Sequence, residues 1–228
     1  MTTMTKTPIL LCGATKWEVE PLAKRWRLRA VSSFRFEGAV RGVDVALVKT
    51  GIGPENAREA LAALEAPRML VSTGFAGALQ AGMASGDLVL DVQSLELEVP
   101  QAARRIAAEQ NTGLHFGRLA HTDEVLWRPE DKLSLGKTQR AAAVDMESAS
   151  IRAAAERLGV PFLAARVVLD AVDDRLPSSV PADESFPALV SYALRNAAEL
   201  PLMIKTGLRQ GRAMSRLAAF LEELIPAL

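Results

Sequence analysis

Two acidic segments that lie close together in the chain could place two carboxylates in one pocket. The first is residues 144–148, with the sequence VDMES, and the second is residues 168–170, with the sequence VLD. We expect the first segment to open a helix and the second to end the next strand, at the carboxyl edge of a largely parallel sheet. One carboxylate could then hold the hydroxyls of a sugar while the other protonates a departing base.

Each acid also has a simpler structural interpretation. Asp145 and Glu147 could be acids in a first helical turn, where the helix dipole favours negative charge. Asp170 could end a turn before the acidic pair at 173–174, and Glu18 could be an exposed helix residue. The residues alone leave both interpretations open.

The composition excludes several classes of function. The chain has 228 residues, with 27 basic and 27 acidic side chains, so a nucleic-acid partner is not expected. Its one cysteine, Cys12, lies in an apolar run and is expected to be a buried hydrophobe in a reducing, cytoplasmic setting. Two histidines and no cysteine–histidine cluster predict no metal site, and we expect no cofactor.

Strand and helix patterns alternate along the chain, which predicts one α/β domain over residues 1–228, with a central parallel or mixed sheet. The predicted strands cover residues 9–12, 29–36, 43–49, 69–72, 88–92, 114–119 and 161–169. The predicted helices cover residues 17–26, 54–64, 101–110 and 145–158, with a short helix or turn at 130–136. A helical C-terminal segment from about 183 to 228 is expected to be broken near Pro201 and at 207–211.

Two glycine segments, residues 50–53 (TGIG) and 73–77 (TGFAG), each follow a predicted strand. Glycine lets backbone N–H groups approach an anion or a sugar closely, although tight turns without a ligand would have the same composition. Only one glycine, Gly13, follows the first strand, instead of the G-x-G-x-x-G of dinucleotide-binding proteins. A nicotinamide oxidoreductase is therefore disfavoured.

Five segments occur in the order found in one enzyme family. They are residues 13–19, 50–53, 73–77 with 86–87, 144–148 and 166–170. On these segments the chain resembles the nucleoside phosphorylase/nucleosidase family, which includes purine nucleoside phosphorylase, uridine phosphorylase and methylthioadenosine/S-adenosylhomocysteine nucleosidase. The resemblance implies a three-layer α/β/α sandwich around a central mixed, partly barrel-like sheet, a nucleoside substrate, and a homo-oligomer, either a dimer or a hexamer.

The resemblance also implies roles for individual residues. Met146 would lie under the ribose, and Glu147 would bind its 2′ and 3′ hydroxyls. Asp170 would donate a proton towards N7 of a purine, and Glu18 would help to activate an attacking water. The implied nucleophile or phosphate pocket consists of Gly13, Thr50, Gly51, Thr73, Gly74 and Phe75. The implied base site contains Val125 and Val144, and Trp127 is a candidate replacement for the aromatic residue that stacks on adenine in the nucleosidases.

The chain departs from the family pattern where phosphate would bind. Phosphorylases have an arginine just before the middle glycine segment and a serine or threonine inside it, whereas this chain has Ser72 and Phe75. A cation for phosphate would have to come from Lys16, Arg25 or another subunit. These differences favour water as the nucleophile and leave phosphorolysis, with inorganic phosphate as a second ligand, as the alternative.

Two further expectations concern the C-terminal segment and a function without catalysis. The C-terminal segment is predicted to pack in the core or in an oligomer, and contact with a membrane surface is the more specific alternative. The prediction depends on apolar residues at 200, 204, 208, 217, 221 and 224, beside basic residues at 205, 209, 212 and 216. The segment and residues 145–148 are similar to a hopanoid-associated branch of the family, thought to remove adenine from an adenosyl lipid. The competing class is a non-catalytic protein that binds or senses nucleosides.

Overall fold

In the computed structural model, the described residues (7–92, 95, 97–174 and 200–228) build one mixed sheet with helices on both faces. The strands are β1 Ile9–Gly13, β2 Arg29–Ala30, β3 Arg35–Val40, β4 Val43–Lys49, β5 Met69–Ala78, β6 Leu88–Asp91, β7 Leu114–Phe116, β8 Leu119–His121, β9 Ala143–Asp145 and β10 Phe162–Asp170. The helices are α1 Lys16–Arg25, α2 Pro54–Leu61, α3 Glu98–Glu109, α4 Pro129–Gln139, α5 Ser148–Leu158 and α6 Leu200–Leu224, followed by a 3₁₀ turn at Ile225–Ala227.

The order of the strands brings several carboxyl ends to one edge. The main path runs β2-β3-β4-β1-β5-β10-β6-β7, and β9 joins β5 to β8. Within it β4, β1, β5 and β10 are mutually parallel, while β6 runs antiparallel to β10 and β9 runs antiparallel to β5. The predicted mixed sheet is therefore confirmed, and its parallel centre collects the loops that follow four strands.

Alternate residues of the central strands build two separate cores, because successive side chains of a strand point to opposite faces. Leu11 and Leu163 pack on one face with apolar residues of α1, α3 and α6. Leu10 and Ala164 pack on the other face with residues of α2 and α5. This arrangement confirms the three-layer α/β/α fold. Cys12 is fully buried, as expected, and burial raises the pKa of its thiol to about 12, so it holds no thiolate at neutral pH.

The structure corrects two predicted boundaries near the acidic and glycine segments. The helix predicted from residue 145 begins at Ser148, because Asp145 ends β9, where it pairs with His121 of β8. The segment 73–77 is no turn: β5 continues through it to Ala78, paired first with β10 and then with β9. The ladder with β10 runs along this whole segment, the ladder with β1 ends at Ser72, and β9 pairs only with Gly77 and Ala78.

Other differences lie further from this edge. The strand predicted at 29–36 is divided between β2 and β3, and the one predicted at 114–119 is divided between β7 and β8. Between β7 and β8 the chain changes partners, from β6 to β9.

The final helix, α6, is continuous through 207–211, where a break was predicted, because residues 213–225 of this segment pack into the core. The buried leucines include Leu217, Leu221 and Leu224, so core packing explains this half of the predicted apolar stripe. The helix predicted over 183–199 falls outside the described residues. Among the described residues, no helix has the length and apolar character needed to cross a membrane.

Candidate active site

The centre of the site is Arg166, a guanidinium that is 1% exposed and lies in the middle of β10. Its Nη2 lies 2.6 Å from Oδ2 of Asp145 and 3.9 Å from Oε2 of Glu147, and its Nη1 lies 3.8 Å from Oε1 of Glu18. Burial alone would lower the pKa of the guanidinium, but the three carboxylates raise it above its ordinary value. Arg166 therefore stays charged and draws acids from three different elements into one cluster.

Glu18 reaches this cluster from the first turn of α1. Its Oε2 accepts hydrogen bonds from the backbone N–H groups of Ala14 (2.8 Å) and Thr15 (2.9 Å), which gives the helix start the form of a capping box. Its Oε1 accepts a hydrogen bond of 2.8 Å from the N–H of Phe75. Glu18 is 4% exposed, so the interpretation as an exposed helix residue is wrong. The carboxylate bridges the loop after β1 to the glycine segment of β5.

Gly74 makes room for this bridge. Its φ angle is +140°, and a Cβ atom placed on it would lie 2.0 Å from Oε1 of Glu18 and 2.7 Å from Nη1 of Arg166. A side chain at this position would displace the carboxylate or the guanidinium. The glycine in the TGFAG segment is therefore explained by the close approach of two charged groups to the backbone of β5.

Glu147 closes the cluster from the opposite side, immediately before α5. Its Oε1 accepts a hydrogen bond of 2.9 Å from the N–H of Gly53, in the loop between β4 and α2. Burial raises the pKa of the Glu147 carboxyl to about 7, assisted by the nearby charges of Glu18 and Asp145 and opposed by Arg166. Since Glu147 precedes α5 and is 6% exposed, it is not a solvated acid of a first helical turn.

Asp145 holds Arg166 from β9. Its carboxylate accepts hydrogen bonds from the backbone N–H and the hydroxyl of Ser148, in addition to its ion pair with Arg166. Arg166 also donates to the hydroxyls of Ser72 (2.7 Å) and Ser148 (3.1 Å). With its oxygens engaged in this way, Asp145 orients the guanidinium.

Asp170 lies at the end of the same strand as Arg166 but in a separate environment. A bulge between Val168 and Asp170 shifts the register with β5, so that Asp170 faces Gly77. The residue is 3% exposed, and its Oδ2 accepts a hydrogen bond from Nζ of Lys132 on α4. Burial raises the pKa of the Asp170 carboxyl above its ordinary value, while the ammonium of Lys132 acts in the opposite direction.

Two of the residues predicted for the nucleophile pocket, Gly74 and Phe75, adjoin the Arg166 cluster, and others use their polar groups internally. The N–H of Thr50 donates to the carbonyl of Gly13 (2.8 Å), and the N–H of Gly51 donates to the carbonyl of Ala14 (3.0 Å). The hydroxyl of Thr73, which is fully buried, has no hydrogen-bond partner among the described residues. The hydroxyl of Thr73 thus keeps unused hydrogen-bonding capacity, while the carbonyl of the same residue accepts a hydrogen bond of 3.2 Å from Nη1 of Arg166.

The two residues predicted for the base site lie in different surroundings. Val144 is 6% exposed in β9 and packs against Leu79, Ala120 and Ala141. Val125 is 44% exposed in the loop before α4, where Trp127 stacks with the guanidinium of the neighbouring Arg128 at 4.8 Å. Met146 is half-buried between β9 and α5. Val144 is therefore a core residue, whereas Val125 lies at the surface.

Sequence reasoning missed both buried cations of the site. Arg166 interrupts an otherwise apolar strand, and that interruption was a usable signal. Lys132 lies in a polar segment without any such signal. Of the two cations that were candidates for phosphate, Arg25 pairs with Glu222 on the surface at 2.6 Å, and Lys16 lies 4.7 Å from the centre of the Trp17 ring.

A surface depression of about 490 Å³ lies near Glu147, the candidate for binding ribose. Gly53, whose N–H donates a hydrogen bond to Glu147, is one of the residues that line the depression. The lining residues are Ile52, Gly53, Pro54, Glu55, Asn56, Arg58 and Asp123. The depression connects the glycine loop after β4 with the loop before α4.

Comparison with known sequences identifies relatives over most of the chain. The profile of the Phosphorylase superfamily matches residues 8–101 and 94–204. A 5'-methylthioadenosine/S-adenosylhomocysteine nucleosidase of Haemophilus influenzae (strain PittEE) is 28% identical over 78% of this chain and 91% of the relative. A protein of the same name from Exiguobacterium sp. is 25% identical over 88% of this chain and 98% of its own length.

Solved structures share the fold. The chain matches an MTAN variant of Helicobacter pylori with 5'-methylthioadenosine in the active site at a TM-score of 0.75, with 17% identity, over 98% of this chain and all of the other. It matches the 5'-methylthioadenosine/S-adenosylhomocysteine nucleosidase of Neisseria meningitidis in complex with methylthio-immucillin-A at a TM-score of 0.74, with 22% identity, over 97% and 100% of the two chains. A futalosine hydrolase of Helicobacter pylori has a TM-score of 0.73 at 17% identity, over 97% and 98%.

Proposed function

Because the chain belongs to the phosphorylase superfamily, we propose that it cleaves the N-glycosidic bond of a purine nucleoside or nucleoside-like metabolite, with water as the nucleophile. Bond cleavage is the activity named for the curated relatives, which are nucleosidases. The observation that carries the proposal is the convergence of Glu18, Asp145 and Glu147 on Arg166, with Asp170 at the end of the same strand.

The excess of carboxylates suits the charge that develops on the sugar. Cleavage of a glycosidic bond passes through an oxocarbenium-like sugar, which nearby negative charge stabilises. Glu147 is the candidate for binding the ribose hydroxyls, with Met146 beneath the sugar. Glu18 is the candidate for accepting a proton from the attacking water. Asp170 is the candidate acid that protonates the base, since burial raises its pKa and so favours the protonated form that a donor needs.

The same charges disfavour phosphate as the nucleophile. A phosphate ion would have to approach three carboxylates, and among the described residues Arg166 is the cation in contact with all of them. Each additional anion in a buried site is unfavourable without a further cation. Water carries no charge into the site, so the electrostatics support hydrolysis over phosphorolysis.

The names of the relatives and the depression beside Gly53 support a substrate with a 5′ substituent, such as 5′-methylthioadenosine or S-adenosylhomocysteine. The substituent would extend from the ribose held by Glu147 towards the lining residues Ile52 and Asp123. We also propose that the protein is a homo-oligomer, which light scattering of the purified chain would test.

Base release from a panel of nucleosides tests the function. The purified protein is incubated with 5′-methylthioadenosine, S-adenosylhomocysteine, adenosine, inosine and uridine, each with and without phosphate, and free base and sugar products are separated by chromatography. We expect free adenine and an unphosphorylated sugar, at a rate that phosphate does not change. Phosphate-dependent turnover would show that water is the wrong nucleophile. Binding of adenine nucleosides without any base release would establish a binding protein instead.

A further inference from the structure

Helix α4 buries a lysine while one of its two leucines is exposed. Lys132 is 0% exposed, whereas the adjacent Leu133 is 42% exposed. The buried residues of this helix are Lys132 and Gly136, which are one turn apart and therefore on the same face. The inward face of α4 thus includes a charge, beside Gly136 and the partly buried Leu135.

The ammonium of Lys132 has three hydrogen-bond acceptors, one for each of its protons. They are Oδ2 of Asp170, the carbonyl of Ala171 at 3.0 Å and the carbonyl of Asp174 at 2.9 Å. All three acceptors belong to the end of β10 and the loop that follows it. Lys132 contacts Oδ2 of Asp170, so the ion pair leaves Oδ1 for another partner.

Gly136 allows the helix to approach closely enough for this contact. A Cβ atom at Gly136 would lie 2.7 Å from the carbonyl oxygen of Leu79, the residue after β5, and 2.9 Å from its Cβ. Any larger residue would push α4 away from the sheet. Since Lys132 is one turn away on the same face, its reach to Asp170 depends on this packing.

Stability alone gives a weak reason for such a lysine. Taking an ammonium out of water is unfavourable, and replacing a buried ion pair by apolar residues is often neutral or stabilising. The position of the pair, on the acid that the proposed function assigns to the departing base, indicates a role in the reaction.

We propose that Lys132 is a positioning residue that acts through Asp170: its ammonium fixes one carboxylate oxygen, so that the other faces the departing base, and it stabilises the carboxylate that forms as the proton leaves. This inference rests on the proposed function. As the glycosidic bond breaks, its electron pair goes to the base, and the O–H bond of Asp170 is replaced by an N–H bond on the base. The proton released by the attacking water returns the site to its starting state through solvent.

Two further charged groups, Asp174 and Arg209, lie near the Lys132–Asp170 pair and contact each other. Asp174 accepts hydrogen bonds from the N–H of Ala171 (3.1 Å) and from Nη1 of Arg209 on α6 (2.7 Å). Lys132 opposes the effect of burial on the pKa of Asp170, and so does the charge of Arg209, whereas Asp174 adds to it. Removing the charge of Lys132 should therefore raise the pKa of Asp170 further.

The test compares Lys132→Met, Lys132→Gln and Lys132→Arg with wild type, using Lys137→Met as the matched control because Lys137 is exposed on the same helix. For the two neutral variants we expect kcat for nucleoside cleavage to fall by about 10- to 100-fold, part of the factor that a general acid supplies. KM should change by less than about threefold, since Lys132 makes no direct contact with substrate in this proposal. The alkaline limit of the pH profile should move to higher pH.

Lys132→Arg, which keeps the charge, should retain the wild-type pH profile and recover most of kcat. Thermal denaturation of each variant separates loss of folding from loss of the acid. If Lys132→Met does not fold, Lys132→Gln decides the question. An unchanged kcat and pH profile in a folded neutral variant would overturn the proposal, as would equal losses in Lys132→Arg and Lys132→Met.

A second measurement keeps this inference distinct from the proposed function. The affinity for adenine is measured by calorimetry across pH for wild type, Lys132→Gln and Lys137→Met. If wild type releases no base from any nucleoside, the proposed function fails. The adenine affinities then still test whether Lys132 acts on Asp170. We expect the pH dependence of adenine binding to shift to higher pH in Lys132→Gln and to stay unchanged in Lys137→Met. An unshifted profile, or no adenine binding by wild type, would overturn the inference.

Discussion

The two buried cations of the site, Arg166 and Lys132, are surrounded differently. Arg166 belongs to β10, and Lys132 contacts the acid at the end of that strand. Arg166 is shared by Glu18, Asp145 and Glu147, so its cluster has more carboxylates than cations. Lys132 has one carboxylate, Asp170, and completes its shell with two backbone carbonyls. The first region holds surplus negative charge, which suits binding a sugar that becomes positive. The second is balanced, which suits a group that must gain and lose a proton.

The acids of the two regions are nevertheless affected by the same kinds of charge. In the Arg166 cluster the neighbouring carboxylates Glu18 and Asp145 help burial to raise the pKa of Glu147 to about 7. In the Lys132 pair, burial raises the pKa of Asp170 against the effect of the lysine. In both regions a nearby cation opposes the effect of burial on the pKa of the acid, and a like charge adds to it; in the second region that like charge is Asp174.

Replacing Arg166 by Met should have the largest effect, because it leaves three buried carboxylates without their shared cation. We expect the free energy of unfolding at neutral pH to fall by about 3–5 kcal/mol, the usual result of removing one partner of a buried ion pair. Urea denaturation followed by circular dichroism measures it. Arg25→Ala, which breaks an ion pair at the surface, is the control and should change stability by less than about 1 kcal/mol. A loss as small in Arg166→Met would mean that the cluster is not held by its cation.

Asp170→Asn breaks the balanced pair and should mainly affect catalysis. An amide cannot supply the proton, so we expect kcat for base release to fall by about 10²–10⁴-fold. Steady-state kinetics with 5′-methylthioadenosine measures the loss, and circular dichroism checks the fold. Glu109→Gln, at an exposed residue at the end of α3, should leave kcat nearly unchanged. Wild-type turnover in Asp170→Asn would remove this residue from the mechanism.

Glu147→Gln removes one of the three acids around Arg166 and so tests whether that cluster carries surplus negative charge. The pKa of Glu147 is raised from its model-compound value of 4.5 to about 7 in the folded protein, so between these values the folded state binds more protons than the unfolded state. Stability is thus lost as pH rises through this window, by as much as about 3 kcal/mol at 1.36 kcal/mol per pH unit. We expect the variant to lack this loss and to be more stable than wild type at pH 8.

Urea denaturation from pH 5 to pH 8 measures the effect, with the exposed Glu59→Gln as the control. The same titration predicts that KM of wild type rises below about pH 7, where Glu147 gains a proton and no longer accepts hydrogen bonds from two ribose hydroxyls with both oxygens. If the free energy of unfolding depends on pH in the same way for wild type and Glu147→Gln, the pKa of this carboxyl is not raised in the folded protein.

Ser72→Ala should have the smallest effect. It removes the hydroxyl that accepts a hydrogen bond of 2.7 Å from Nη2 of Arg166 and shares one of 2.9 Å with the hydroxyl of Ser148, but it leaves every charge in place. We expect the free energy of unfolding to fall by about 1–3 kcal/mol, as for a buried hydrogen bond to a charged group. Denaturation of a Ser33→Ala variant, at an exposed serine between β2 and β3, gives the baseline. A loss larger than that of Arg166→Met would reverse the order of importance inferred here.

Much of the fold was predictable because hydrophobic periodicity is local. The strands β1, β4 and β10 and the helices α1 and α2 lie close to their predicted positions. The errors occur where tertiary pairing overrides local signals, as in β5, whose glycine segment continues as a strand because β10 and β9 pair with it. The predicted roles of Glu18, Met146, Glu147 and Asp170 stay predictions, although the first and third meet in one cluster.

The sequence by itself determined the alternation of elements, the family and the approximate place of the acids, since these depend on short-range patterns. Only the tertiary structure decided which charges meet. The bulge before Asp170 breaks the two-residue period of β10, so the direction of this carboxylate could not be read from Arg166. Lys132 reaches Asp170 across 38 residues of sequence. Charge pairing over such separations depends on packing, here the close approach of α4 at Gly136, which no local pattern encodes.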